Sequence, residues 1–296
     1  MPLRSLLLVL FLGCAPKPVP TVAAIPEAYK AAGLQNLHRV SPNLWSGSSP
    51  EGDAGFASLQ SLGIKTVISV DGAAADISTA EKYGLRYVHL PVGYDGIPRE
   101  RALEMARAVR DLPGPVYVHC HHGKHRGPAA AAAIRLCLDP DFTPEQAEGW
   151  MKQAGTDPRY TGLFELPKNL NRPTKEELDA VPSDFPAVAR VADLTRSMVE
   201  IDGTWDKLIA AKNANWPEPV KSAGHAVLLI EHYREAKRLP QPPQPEFVKF
   251  LAAAETEAGT LEWALRRPDV TSADAAFAAS QALCQRCHGE FRDRAK

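Results

Sequence analysis

The chain has 296 residues, 45% of them hydrophobic and 23% charged, with a formal net charge of -1. That length corresponds to about two ordinary domains. No charge excess suggests a nucleic-acid partner.

The N-terminus stands apart from the rest. Arg4 precedes the apolar run Ser5-Leu6-Leu7-Leu8-Val9-Leu10-Phe11-Leu12, which Gly13-Cys14 closes. A basic residue, a short apolar stretch and a small residue read as a secretory signal, too short to span a bilayer comfortably. Gly13-Cys14 resembles the cleavage site of bacterial lipoproteins. That resemblance implies a lipid on Cys14, an anchor in a bacterial membrane and a periplasmic or cell-surface location. Plain secretion and a retained anchor are the alternatives. Pro16-Lys17-Pro18-Val19-Pro20 reads as an extended tether, so residues 1–20 form signal and tether.

Leu37–Val40 and Asn43–Gly47 are expected as short strands around a Ser41-Pro42 turn. A helix over Phe56–Leu62 ends at Gly63, and Lys65–Val70 is β-branched enough for a central strand. A helix over Ile77–Tyr83 stops at Gly84; Arg86–Leu90 is a strand and Arg99–Leu112 a helix. Pro115–Val118 is a buried strand, and a helix starts around Pro128, which is suited to a first turn. Strands alternating with helices predict an α/β domain, a mainly parallel sheet flanked by helices. Thr143–Ala154, with a capping-box Gln146, and Tyr160–Leu166 are further helices. Prolines 167, 173, 182 and 186 place a boundary near residues 172–182.

Between the Val118 strand and the Pro128 helix lies His119-Cys120-His121-His122-Gly123-Lys124-His125-Arg126-Gly127. Amides at a helix N-terminus attract anions, so the loop should hold a phosphate, gripped at two oxygens by Arg126. The same field should ease proton loss from Cys120. Cysteine, five residues, then arginine, with histidine before and glycine at the fourth position, resembles the active-site loop of protein tyrosine and dual-specificity phosphatases. The resemblance implies that Cys120 is the nucleophile and forms a phosphocysteine. It also implies that His121, His122, Gly123, Lys124, His125 and Arg126 surround the phosphate, with no metal in this domain. The family places serine or threonine after the arginine, to help the cysteine leave; Gly127 stands there instead, which implies slow turnover. The family also uses an aspartate on another loop as general acid. Asp95, in the turn-rich Pro91–Pro98 segment, is the candidate, and Asp71 after the Val70 strand is the runner-up. A buried thiol on a strand–helix turn and a histidine metal site are the competing readings of the loop.

The C-terminal third is helical in pattern. Helices are expected over Phe185–Ile201, Glu218–Lys237, Pro245–Arg266 and Ser272–Arg292, with apolar residues at three- and four-residue spacing. Cys284-Gln285-Arg286-Cys287-His288 is the c-type haem attachment pattern. Lying at the end of a helical region, it resembles cytochrome c′, an all-α four-helix bundle. That implies covalent haem c on Cys284 and Cys287, His288 as proximal iron ligand, and Met198 or Leu194 facing the iron. Zinc and dithiol redox roles are the alternatives for this motif. Cys137 reads as a buried small hydrophobe, and His225 and His232 as core or solvated histidines.

The two resemblances imply a phosphatase-like domain over 35–170 and a haem bundle over 183–296. The implied activity is hydrolysis of phosphate monoesters, with a phosphorylated substrate and a redox partner for the haem. The rival is a haem electron-transfer or sensor protein whose first domain only binds an anion. A coupled version lets the haem state control oxidation of Cys120.

Overall fold

The computed structural model describes residues 26–73, 76–189, 194–239, 244–267 and 269–291. Cys14 and the expected secretion signal lie outside those residues, as do Val191 and Arg292.

One six-stranded sheet organises the first unit. Its strands are β1 (Glu27–Ala31), β2 (Leu34–Ser41), β3 (Leu44–Ser48), β4 (Thr66–Ser69), β5 (Arg86–His89) and β6 (Val116–Cys120), in the order β1-β2-β3-β6-β4-β5. The β3–β6, β6–β4 and β4–β5 pairings are parallel; β1–β2 and β2–β3 are antiparallel. The sheet is therefore mixed rather than mainly parallel. Only Pro42 and Asn43 separate β2 from β3, and so short a link can only reverse the chain. β1 precedes the expected domain start at residue 35.

Alternation along the strands builds two cores. Val40, Ile68, Val88 and Val118 face helices α3 (Arg99–Asp111), α4 (Arg126–Leu138), α5 (Pro144–Gln153) and α6 (Thr161–Asn169). Trp45, Val67, Tyr87 and Tyr117 face α1 (Gly52–Ser61) and α2 (Ile77–Lys82) on the other side. Successive residues of a strand point to opposite faces, so Tyr117 and Val118 serve different cores. β4 and β6 are buried along their whole lengths, as strands covered on both faces must be. Ala129–Ala133 of α4 are all buried, and their small side chains let the helix lie close to the sheet.

The first unit extends beyond the expected boundary. Thr174 and Glu177 form a capping box that starts α7 (Lys175–Ala180), a helix the proline pattern concealed. Leu178 packs with Ala106 and Cys137. Further on, the Pro186 carbonyl accepts the His89 N–H at 2.8 Å. The segment through 186 thus belongs to the sheet domain.

Four helices follow: α8 (Leu194–Asn213), α9 (Pro219–Ala236), α10 (Pro245–Arg266) and α11 (Val270–Phe291). Ile201, Leu208, Leu229, Tyr233, Leu251, Leu261 and Phe277 meet in their shared core. The first of them begins later and ends later than the expected 185–201. Residues around Pro186 are tied to β5, while Trp205, Leu208 and Ile209 carry the apolar stripe past Gly203. No helix among the described residues is long and apolar enough to cross a membrane.

Helix α9 is shared between the units. Ala226, Leu229, Ile230 and Tyr233 enter the helical core, whereas Val227 belongs to the core over the sheet. Glu231 and Glu235 continue the Val227 face at helical spacing, and both meet residues of the sheet domain.

Candidate active site

β6 ends on Cys120 and α4 begins on Arg126, so residues 121–125 form the turn between them. Cys120 is 3% exposed. The turn is held from outside through its carbonyls. Ser49 N–H donates to His121 O at 3.0 Å, the Asn36 amide to Gly123 O at 2.8 Å, and the Thr156 hydroxyl to Lys124 O at 2.8 Å. A trans peptide points its N–H opposite to its C=O, so anchoring these carbonyls outward turns the next amides into the loop. Gly123 adopts φ +70, and a Cβ there would run into the Gly47–Ser48 backbone; only glycine suits both demands. Gly127 lies against the nucleophile candidate, where a Cβ would be 3.4 Å from Cys120 Sγ and 3.2 Å from its nitrogen.

Arg126 is 1% exposed and its guanidinium is enclosed by named partners. Nη2 donates to Asp71 Oδ1 at 3.1 Å, and Nη1 donates to Glu235 Oε1 of α9. The Tyr94 ring lies 4.3 Å from its central carbon. Nε is buried and has no hydrogen-bond partner. A buried donor left unmade is costly, and Nε is left to donate to an oxygen of a bound anion. Arg238 of the α9 C-terminus also donates to Asp71, at 2.7 Å. Burial opposes ionisation of Asp71, yet Arg126 and Arg238 outweigh it and hold the carboxyl well below the usual range. Burial pushes Glu235 the other way, up, against the pull of Arg126. Its side chain is 27% exposed and lines a cleft beside Gly72 as well as a chamber at Arg126.

That chamber has a volume of about 350 Å³. It is lined by Arg126, His121, His122 and Tyr94 of the sheet domain, by Glu235 of α9 and by Arg238 just past the end of α9. His125 also lines it; burial lowers its pKa to about 4, so its ring is neutral near pH 7. Lys124 points elsewhere: it is exposed and lies near Gly155, so only its backbone belongs to the loop. His119, wholly buried, is driven down to about 4 by desolvation. Its Nδ1 faces the Cys120 carbonyl at 3.3 Å, which leaves Nε2 to accept from the Tyr87 hydroxyl at 2.7 Å. It positions the strand end and does not exchange protons near neutrality.

Asp95 is not brought to this chamber. It is exposed and lines two clefts beside α6 and the start of α9, with its carboxylate folded against its own turn at Gly93. The Asp-Gly pair makes a turn, a role such pairs often have. Asp71, the runner-up, touches Arg126 instead. Among the described residues no group of three or more His, Cys, Asp or Glu side chains is placed to hold a metal ion.

A second cavity lies within the helical unit. Cys284, Cys287 and His288 of α11 line it together with Met198 of α8, Tyr233 of α9 and Phe247, Phe250 and Leu251 of α10. Leu194 is 38% exposed and is absent from that lining. Burial raises both thiols, Cys287 to about 11. The Tyr233 hydroxyl stands 3.9 Å from Cys284 Sγ. His232 points away from this cavity and meets the Thr204 hydroxyl at 3.2 Å; His225 lines a surface cleft.

No family model matches the chain. Over 133 residues it is 32% identical to the dual specificity protein phosphatase TpbA of Pseudomonas aeruginosa strain UCBPP-PA14, a match covering 44% of this chain and 55% of that protein. The protein of the same name from strain PAO1 matches over the same shares. The chain thus spans about half the length of the curated relatives it matches. Among solved structures, TpbA of P. aeruginosa aligns with 51% of this chain and 94% of its own, at 25% identity and a TM-score of 0.41. A TpbA variant in complex with phosphotyrosine aligns with 47% of this chain and 98% of its own, at 27% identity and a TM-score of 0.35.

Proposed function

We propose that the sheet domain is a cysteine-dependent phosphatase that hydrolyses phosphate monoesters through a phosphocysteine. One observation carries this reading. The unpartnered Nε of Arg126 is buried beside a loop whose carbonyls are anchored outward, directly after a cysteine at a strand end. Homology to the TpbA phosphatases supports it, and their description as dual specificity protein phosphatases supports a phosphorylated protein as substrate.

In this reading Cys120 Sγ attacks phosphorus while Arg126 and the loop amides hold the phosphoryl oxygens. Donors fixed in place before the reaction stabilise the charge that develops. Water then releases phosphate from sulfur. Gly127 offers no hydroxyl to the departing thiolate, so the second step is the slower one. Mixing the full chain with an aryl phosphate and quenching in denaturant should therefore leave a phosphoryl group on the peptide that carries Cys120, read by mass spectrometry. Turnover with every cysteine unmodified would overturn the reading. The rival, a domain that only binds an anion, is favoured by the same Gly127, and predicts phosphate binding with no turnover.

The helical unit is proposed to carry covalent haem c. The donor set fits: Cys284 and Cys287 would form the thioethers, His288 would be the proximal ligand, and Met198 lines the same cavity among aromatic and aliphatic neighbours. Haem would supply an iron centre for electron transfer or for binding a small gas. The export signal and Cys14 fit an extracytoplasmic, lipid-anchored protein with a redox partner outside the cytoplasm. Protein matured in a periplasm with haem-attachment machinery should keep its haem band in denaturing pyridine. The double variant Cys284→Ala/Cys287→Ala should lose it. A band of equal height in that variant would place the haem elsewhere.

A further inference from the structure

A phosphatase of this kind needs a proton for the leaving oxygen, and neither aspartate of the sheet domain weighed for that role stands ready to give one. Asp95 faces other clefts. Asp71 touches Arg126 but is held ionised by two guanidinium groups. His125 and His119 are neutral near pH 7. Glu231 is committed to the Tyr160 hydroxyl at 2.7 Å and to Arg234 at 2.6 Å.

Resting on the phosphatase reading above, we propose that Glu235, supplied by helix α9 of the C-terminal unit, is the general acid of the reaction. Its carboxyl meets Nη1 of the arginine that would grip the phosphoryl group, so it lies at the edge of the anion site. Arg126 Nε remains without a partner, so Glu235 does not itself fill the site. Cys120 ends a sheet strand, the loop and Arg126 lie beyond it, and α9 closes the chamber. An in-line displacement expels the leaving oxygen away from sulfur, and in this proposal Glu235 stands within its reach.

The two carboxyls on Arg126 are set apart by their surroundings. Asp71 is pressed toward the carboxylate by Arg126 and Arg238, and Glu235 toward the acid by burial and by Asp71. Divergence of this sort separates an acid from an electrostatic partner. As the P–S bond forms, the P–O bond breaks, its electron pair goes to the leaving oxygen, and Glu235 gives that oxygen its proton. In the second step water attacks phosphorus and gives its proton to the Glu235 carboxylate. The P–S bond breaks and the thiolate is restored. One ester and one water become one alcohol and one phosphate.

The test compares two esters in the full chain. Phenyl phosphate needs a proton on its leaving oxygen; 2,4-dinitrophenyl phosphate does not. Glu235→Gln keeps the shape and removes the acid. It should lower kcat/KM for phenyl phosphate by about 100-fold, within the usual range for general acid catalysis, and for the dinitrophenyl ester by less than about threefold. Glu235→Asp should restore part of the phenyl phosphate rate, which separates proton donation from damage to the fold. Equal loss on both esters, no loss, or a gain in rate would overturn the proposal; a gain would make Glu235 an occluding group. The same ester-dependent loss in Asp95→Asn, in place of Glu235→Gln, would return the acid to the sheet domain. A wild type without Cys120-dependent turnover would remove the phosphatase reading and this proposal together. Turnover without the ester difference removes this proposal alone.

Discussion

Cys120→Ser is expected to lower turnover of an aryl phosphate by a factor on the order of 10⁵, the scale seen when a nucleophile is removed from a covalent mechanism. A serine hydroxyl keeps its proton near neutrality and is a far weaker nucleophile than a thiolate, and His119 and His125, with pKa values of about 4, are poor bases for it. Binding should survive. Arg126, the inward amides and the Gly123 turn do not depend on sulfur, so a substrate ester should still bind, with a Kd within about tenfold of the wild type. Stability should change by only about 1 kcal/mol, because the buried hydroxyl would sit among the loop N–H donors. Stopped assays, calorimetric titration and urea unfolding read these quantities. No other cysteine of the sheet domain can stand in. Cys137 is buried on α4 against Leu178, and desolvation raises it to about 11. Residual turnover within tenfold of the wild type would therefore move the nucleophile out of this loop.

What the sequence disclosed of this site is what lies contiguous in it. Cys120, Gly123, Arg126 and Gly127 fall within eight residues, and a strand, a turn and a helix start can be read across them. The apolar periods of α9, α10 and α11 were equally legible, with Pro219 and Pro245 marking two of the starts. Groups brought in by folding were not. Asn36 and Thr156 tie down the loop from distant segments. Glu235 is 109 residues from Arg126, and a glutamate on an amphipathic helix says nothing of which domain its polar face will meet. Asp95 carries the chemistry expected of the loop, and its neighbour Tyr94 does not announce itself in sequence. The side chain that reaches Arg126 is Tyr94, through its ring. α8 starts later than its apolar spacing predicts for a related reason: Pro186 is drawn to β5 by a hydrogen bond that no local pattern encodes.

Arg126→Lys retains the charge and should still lower kcat/KM by about 10²- to 10³-fold, the range for loss of a fixed transition-state donor. Lysine presents one ammonium in place of a planar fork. It cannot meet Asp71 and Glu235 and also offer a donor where Nε now waits. The structural cost follows from the same geometry. Asp71 would keep Arg238 and lose its more buried partner, while Glu235 would lose its charged partner. Breaking a buried ion pair costs about 3–5 kcal/mol; a lysine that keeps part of the contact should bring the loss to about 2–3 kcal/mol at pH 7. The sign of the pH dependence comes from Asp71. Its folded pKa lies below its unfolded value of about 4, so the stability it contributes is present above that value and disappears as pH falls toward the folded one. Glu235 has the opposite shift, and its protonation on acidification relieves a cost rather than adding one. The gap in unfolding free energy between wild type and Arg126→Lys should therefore narrow as pH falls below about 4, the unfolded carboxyl value. A gap of constant size would mean that packing against Tyr94, and not the charges at the domain junction, is what the arginine gives to the fold.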